Sequence, residues 1–335
     1  MERINREREK RYQECVEKLI SWLVTQQQAD GSFDSDPNVF YKIPWAFSTW
    51  GKQMQATRLL DWSKDKAFEK TWRFAPIFSG KDRFPWPTKN TGGECTMAYI
   101  YAYLQIGSQL LGRFDFAYGL MRTVLSYQDT TYGGFYGKRI GRSEGEMDLM
   151  TTAFCGLSCL YSGRRSEAKR AADFLVKMKE LQPDPNRKLY VSLRDSGKPV
   201  TDFAEEDAAC YVLDTQKPGQ MYIFPGAAII NLCKTYMAIP KPEFLDTAKS
   251  YYELVMGWDD IWETPRSGKF AVGCSCLYRI TGDPEYLQTA TRIADYVVGI
   301  QNEDGSWPAP PGYAESWTAE FGVHLAEILK NTSTA

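Results

Sequence analysis

Two kinds of helix-length segment alternate along this chain, and that alternation limits its fold more than any other feature. One kind is amphipathic with a charged face: "REKRYQECVEKLISWLVTQQ", "SEAKRAADFLVKMKEL" and "PEYLQTATRIADYVVGIQ". The other is apolar almost all round and rich in small residues: "ECTMAYIYAYLQIGSQLL", "MDLMTTAFCGLSCLYS", "YIFPGAAIINLCKTYMAI" and "GKFAVGCSCLYRIT". A helix without a polar face is buried on both sides, and an amphipathic helix covers it from outside. The periodicity predicts outer helices near 6–28, 64–75, 113–128, 166–180, 243–256 and 285–301, and inner ones near 44–60, 92–111, 145–161, 221–238, 267–281 and 314–330. Six alternating hairpins predict an all-α chain whose residues 1–335 form a single (α/α)6 barrel; an open solenoid would show similar periodicity. No β-rich segment competes.

The connections are unequal. Inner-to-outer links are short, as in "YSGRRSE" and "TGDPEY", whereas outer-to-inner links are long: 29–43, 76–91, 129–144, 181–220, 258–266 and 302–313. In a barrel the long loops emerge on one end, where the inner helices begin. Seven of the ten tryptophans, Trp45, Trp50, Trp86, Trp258, Trp262, Trp307 and Trp317, lie in those loops or the first turns after them. Loops that cover a pocket need such aromatic mass, although some of these rings simply pack loops onto the rim. The segment 181–220 is too long for a mere connector; its "KLYVSLRDSGKPV" reads as a hairpin, and the whole as a lid over the mouth or else a disordered insertion.

Charge is nearly balanced, 40 basic residues against 42 acidic, so no basic stripe points to nucleic acid. No apolar run reaches the ~20 residues that span a bilayer, and the charged start "MERINREREKRYQE" is unlike a signal peptide. The eight cysteines sit mostly in apolar helical patterns, which suggests reduced thiols in a cytoplasmic protein. Oligomeric state is not legible.

One short pattern recurs. Gln301-Asn-Glu-Asp-Gly305-Ser-Trp307 has the form Q-x3-G-x-W, Gln27 to Phe33 repeats it with Phe, and "QDTTYGGFYG" from Gln128 is a looser copy. These resemble the QW-type repeats of the α/α toroids, the terpenoid cyclases and protein prenyltransferases, in which the Gln ends an outer helix and the aromatic ring caps the next turn. "YRITGDPEYLQTATRIADY" equally looks like hairpins of the six-hairpin glycosidases and sugar epimerases. The resemblance implies architecture, with one hairpin tied to the next, rather than an active site. The D-x-D-D acid and the D-D-x-x-D helix of the cyclases are missing; "DDIWE" (Asp259, Asp260, Glu263) comes nearest but falls in a loop. The zinc set of the prenyltransferases is not visible either: Cys274 and Cys276 open one inner helix and His324 lies on the next, with no Asp beside them. No metal and no cofactor is expected.

Polar residues at the starts of inner helices point toward the mouth. Glu94 and Glu146 lie there, each in a capping-box pattern, "TGGE" and "SEGE". Asp148 opens an apolar helix and needs a partner or a raised pKa; it is a proton-transfer candidate or the partner of a loop arginine, Arg139 or Arg142. Glu320 and His324 are four apart and share a helix face, so they can form an acid–base pair or a satisfied core histidine. Tyr41, Trp45, Trp86, Tyr136, Arg139, Tyr190, Arg194, Tyr222, Trp258, Trp307, Tyr313 and Trp317 are the further candidates for substrate contact. Lys42 and Lys138 are cations near the mouth, read as solvated. No Walker loop, G-x-S-x-G, G-x-G-x-x-G or H-E-x-x-H is present.

These features predict a small-molecule enzyme with an aromatic pocket, a cyclase or isomerase working by acid–base chemistry on a largely apolar, terpenoid- or polyketide-like substrate. The alternatives are a carbohydrate hydrolase, lyase or epimerase, and a non-enzymatic binding or scaffold toroid. Pocket lining discriminates: Phe, Trp, Leu and Met with one or two acids for the cyclase; several charged and amide groups beside one or two Trp for the sugar enzyme.

Overall fold

The computed structural model describes residues 4–34, 36–75, 97–140 and 144–333. Among the described residues twelve longer helices alternate outward and inward. The outer ones are α1 (Arg6–Gln26), α3 (Gln53–Lys66), α5 (Phe114–Leu125), α7 (Arg165–Glu180), α9 (Pro242–Val255) and α11 (Pro284–Gly299). The inner ones are α2 (Ile43–Thr49), α4 (Met97–Leu110), α6 (Leu149–Tyr161), α8 (Ile223–Ala238), α10 (Gly268–Thr281) and α12 (Ala314–Thr332). The two classes bury as their composition requires. Every residue of α4 from Met97 to Ser108 is buried, whereas α7 buries one stripe, Ala168, Ala171, Ala172, Phe174, Leu175 and Met178. Each inner helix packs on the next, and α12 returns to α2, so the ring closes as an (α/α)6 barrel. No helix among the described residues is long and apolar enough to cross a membrane.

The second hairpin differs from expectation. The inner helix expected to reach residue 60 stops at Thr49, and the outer helix is Gln53–Lys66 rather than 64–75. Gly51 takes φ +76° and the Lys52 N–H donates to the Phe47 carbonyl at 2.8 Å, a helix stop of the Schellman type. The same stop ends α4 and α6, where Gly112 and Gly163 are left-handed and Arg113 and Arg164 donate to Ser108 and Cys159. Residues 67–75 instead form a turn bridged between Phe68 and Phe74.

The recurrent Gln pattern clasps neighbouring outer helices. The Gln301 amide donates to the Gly305 carbonyl at 2.9 Å and to the Cys15 carbonyl on α1 at 3.0 Å, joining the last outer helix to the first. Gln27 does the same with Gly31 and Gln55 on α3, and Gln128 with Gly133 and Glu167 on α7. Trp307 is buried beneath its turn, its indole N–H on the Val297 carbonyl at 2.8 Å. Gly305 has φ +96°, and a Cβ there would come within 2.5 Å of the Lys18 carbonyl oxygen. Gly305→Ala therefore combines a left-handed backbone penalty with overpacking, and roughly 2–5 kcal/mol of stability should be lost. Denaturant titration checks this; a loss under about 1 kcal/mol would show the clasp to be dispensable.

Among the described residues five short strands decorate the loop end, where only a hairpin in the 181–220 segment was expected. β1 (Tyr136–Ile140), β2 (Glu144–Asp148) and β4 (Ser192–Arg194) form one antiparallel sheet, and β3 (Lys188–Tyr190) pairs with β5 (Val212–Asp214). The hairpin read in "KLYVSLRDSGKPV" is present, with the Val200 N–H on the Ser192 carbonyl at 2.9 Å.

Candidate active site

Three chain segments meet at the barrel mouth. Lys42 precedes α2 and is only 5% exposed; Lys269 is the second residue of α10 and 3% exposed. Both ammonium groups reach Glu320 on α12. Lys42 Nζ lies 2.5 Å from Oε2, and Lys269 Nζ pairs with Oε1. One turn further, His324 Nε2 stands 3.8 Å from Glu320 Oε1, beyond hydrogen-bond reach, and neither ring nitrogen has a hydrogen-bond partner. Gly268 makes room for that ring, since a Cβ there would lie 2.8 Å from Nδ1. Lys42, Lys269, Glu320 and His324 face a cavity of about 490 Å³, a size usual for small-molecule sites. Its wall also carries Asn38, Tyr41, Tyr99, Gln220, Arg266, Tyr313, Ser316 and Trp317.

Burial by itself would raise the Glu320 carboxyl; the Lys269 and Lys42 ammonium groups outweigh it and hold the group well below the usual carboxylate range. Burial lowers both lysines, and Glu320 pulls them back up. Burial pushes His324 down to about 3, against the pull of Glu320. The site thus has an ionised carboxylate, two ammonium groups and a neutral imidazole.

The cavity brings together Tyr41, Tyr313, Trp317, Glu320 and His324 from the sequence candidates. Trp86 and Glu94 lie outside the described residues, as does the side chain of Arg139 on β1. The others sit elsewhere. Trp45 packs on Tyr103 and Tyr161, Tyr136 donates to Asp195 at 2.7 Å, and Tyr190 packs near Phe203. Arg194 pairs with Asp202 at 2.9 Å. Tyr222 donates to Asp260 at 2.5 Å, and Trp258 donates to the Asp214 carbonyl at 2.9 Å. Lys42 is not the solvated cation expected of it. Lys269 was missed, although a lone charge in the apolar run "GKFAVGCSCLY" carries the same signal that singled out Asp148.

Ser143 of the "SEGE" pattern lies outside the described residues, and Glu146 caps no helix. Glu146 lies in β2, accepting from Tyr211 at 3.0 Å, and α6 starts only after Asp148. Asp148 is its N-cap, accepting the Thr151 N–H at 2.8 Å. It is outside the cavity wall. Burial pushes it up to about 6, from 3.8, against the Thr151 and Met150 donors. A carboxyl raised on folding favours the folded state at low pH, and that gain is lost as pH rises from about 4 through 6. Asp148→Asn keeps the cap and removes the buried charge. Its melting temperature should exceed wild type above pH 6 and converge with it below about pH 4; a parallel offset at every pH would contradict this.

Known folds place the barrel. No family model and no curated protein matches the sequence. Solved structures match the fold. A D-mannose isomerase aligns over 95% of this chain and 97% of its own, at 10% identity and TM-score 0.71. Cellobiose 2-epimerase from Spirochaeta thermophila aligns over 95% and 97%, at 11% identity and TM-score 0.64. A GH76 α-mannanase of Bacteroides thetaiotaomicron aligns over 96% and 95%, at 12% identity and TM-score 0.63. Such identities show a shared (α/α)6 toroid fold and no more; a tie to terpenoid cyclases in particular is not shown. The expectation of a cyclase for an apolar substrate is overturned. These three toroids are named as sugar enzymes, and beside Met150, Met221, Ile223 and Phe321 the cavity wall carries one Trp with Lys, Arg, Glu, Asn and Gln.

Proposed function

We propose that the protein is a sugar isomerase or epimerase that moves a proton at the carbon beside the carbonyl of an open-chain sugar. The carrying observation is His324: a neutral imidazole on the cavity wall, neither nitrogen hydrogen-bonded, beside two buried ammonium groups. Neutral imidazole takes the proton from carbon. Lys42 and Lys269 stabilise the negative charge that builds on the enediolate oxygens. Glu320, 3.8 Å away, steadies the imidazolium so formed. When His324 returns the proton to the carbonyl carbon, and the hydroxyl proton passes to the former carbonyl oxygen, the isomer results; when the enediolate turns over beside the ring first and takes the proton back at the original carbon, the epimer results. Only side chains take part, so no cofactor is invoked. Trp317 offers a face on which a sugar ring stacks. The end of the long 181–220 segment, at Gly219 and Gln220, borders the cavity and supports its reading as a lid.

Glycoside hydrolysis fits less well. It usually needs two carboxyl groups, one of them protonated. Among the described wall residues Glu320 is the sole carboxylate, and two ammonium groups keep it ionised. Incubation with a panel of aldoses and ketoses, followed by NMR of the products, should show interconversion. Release of reducing ends from glycosides without interconversion would sink the proposal.

A further inference from the structure

The charge in the cavity is unbalanced. Lys42 and Lys269 both pair with the one carboxylate of Glu320, and Arg266 adds a third cation at the exposed rim, where it donates to the Gly219 carbonyl at 2.5 Å. His324 is neutral beside them. No second carboxylate of the described residues lines the cavity. Each ammonium has three donors, and Lys42 and Lys269 each use one, on Glu320. Each also lies over a ring face, Lys42 over Tyr41 at 5.0 Å and Lys269 over Phe154 at 5.6 Å. A buried cation without its own counter-charge is costly, and donors left free toward a cavity mark where a ligand's anion belongs.

We infer that the natural substrate is an acidic sugar, whose carboxylate or phosphate group takes the free donors of one of the two lysines and passes Arg266 on entry, leaving the other lysine to the enediolate oxygens. The inference rests on the sugar-isomerase reading and adds the substrate class to it. It also bears on the basicity of His324. An imidazole held near 3 is a feeble base, because burial and the two lysines all oppose its protonation. An anion on one of them cancels part of that opposition and moves His324 toward the range where a base works best.

The test uses the purified chain and six probes: glucuronate and galacturonate, glucose 6-phosphate, glucose and mannose, and inorganic phosphate alone. Calorimetry should show one acidic class binding at least about tenfold tighter than the neutral hexoses, with the preference shrinking as salt rises. Which acidic class wins tells carboxylate from phosphate. His324 is the chain's single histidine, so its lone imidazole NMR signal should titrate at higher pH with the acidic probe bound. Lys269→Met risks misfolding, so Arg266→Gln at the exposed rim serves instead: it should weaken the acidic probe several-fold more than it weakens the neutral sugars. Neutral sugars binding as tightly as acidic ones, or no probe binding at millimolar concentration, would overturn the inference. Phosphate binding with no sugar of any kind would leave the anion site standing and bring down the isomerase reading beneath it.

Discussion

Replacing His324 by glutamine should lower turnover by about 10²–10⁴-fold, the usual cost of removing a general base. Stability should change little by comparison. Neither ring nitrogen holds a hydrogen bond, so the substitution orphans no buried partner. The neutral state of the ring has its own signature. A histidine lowered on folding, from 6.5 to about 3, stays unprotonated while the unfolded chain takes up a proton. Its contribution to stability is therefore intact above about pH 6.5 and drains away as pH falls toward 3. NMR titration of the single imidazole reads this directly. A midpoint near 6.5 in the ligand-free protein would remove the argument for a buried neutral base.

Glu320→Gln should have the largest effect on the fold. It leaves two buried ammonium groups without a counter-charge, and breaking a buried pair from one side typically costs about 3–5 kcal/mol. Here one carboxylate serves both lysines, so the upper part of that range is expected. Glu320 is depressed on folding, so its contribution is present above about pH 4.5 and lost as pH falls further. A second buried pair is the control. Lys234 on α8 reaches Glu327 on α12 at 2.6 Å, with the Tyr161 hydroxyl 3.2 Å from the same ammonium. Neither Lys234 nor Glu327 lines the cavity. Glu327→Gln should destabilise in the same way yet leave the residual folded enzyme fully active, whereas Glu320→Gln should lose activity per folded molecule as well. Equal specific activities in the two variants would place Glu320 outside the chemistry.

The barrel was legible because its signals are local. The inner helices announce themselves by lacking a polar face, and the Q-x3-G-x-W copies mark the turns that clasp outer helices. The second hairpin was misplaced because the apolar run continues through Trp50 and Gly51. The Gly-basic stop shared with Gly112-Arg113 and Gly163-Arg164 was the clue that hydrophobic periodicity alone passes over. Glu320 and His324 were visible as neighbours on one helix face. Their lysines were not. Lys42 and Lys269 are 227 positions apart (269 less 42), and only ring closure brings them to one carboxylate. Residues that anchor loops, such as Trp258, Trp307 and Tyr222, look the same in sequence as residues that line a pocket. What separates them is where their polar tips find partners: a backbone carbonyl for the two indoles and Asp260 for the tyrosine.

The central claim is proton transfer at a sugar carbon by His324, and solvent isotope incorporation tests it most directly. Wild-type protein incubated in D2O with the acidic and neutral sugars should place deuterium at the carbon beside the carbonyl, in product and in recovered substrate. The His324→Gln variant should place about 10²–10⁴-fold less there in the same time. Turnover of any of these sugars without deuterium at that carbon, or equal incorporation by the variant, would contradict the account.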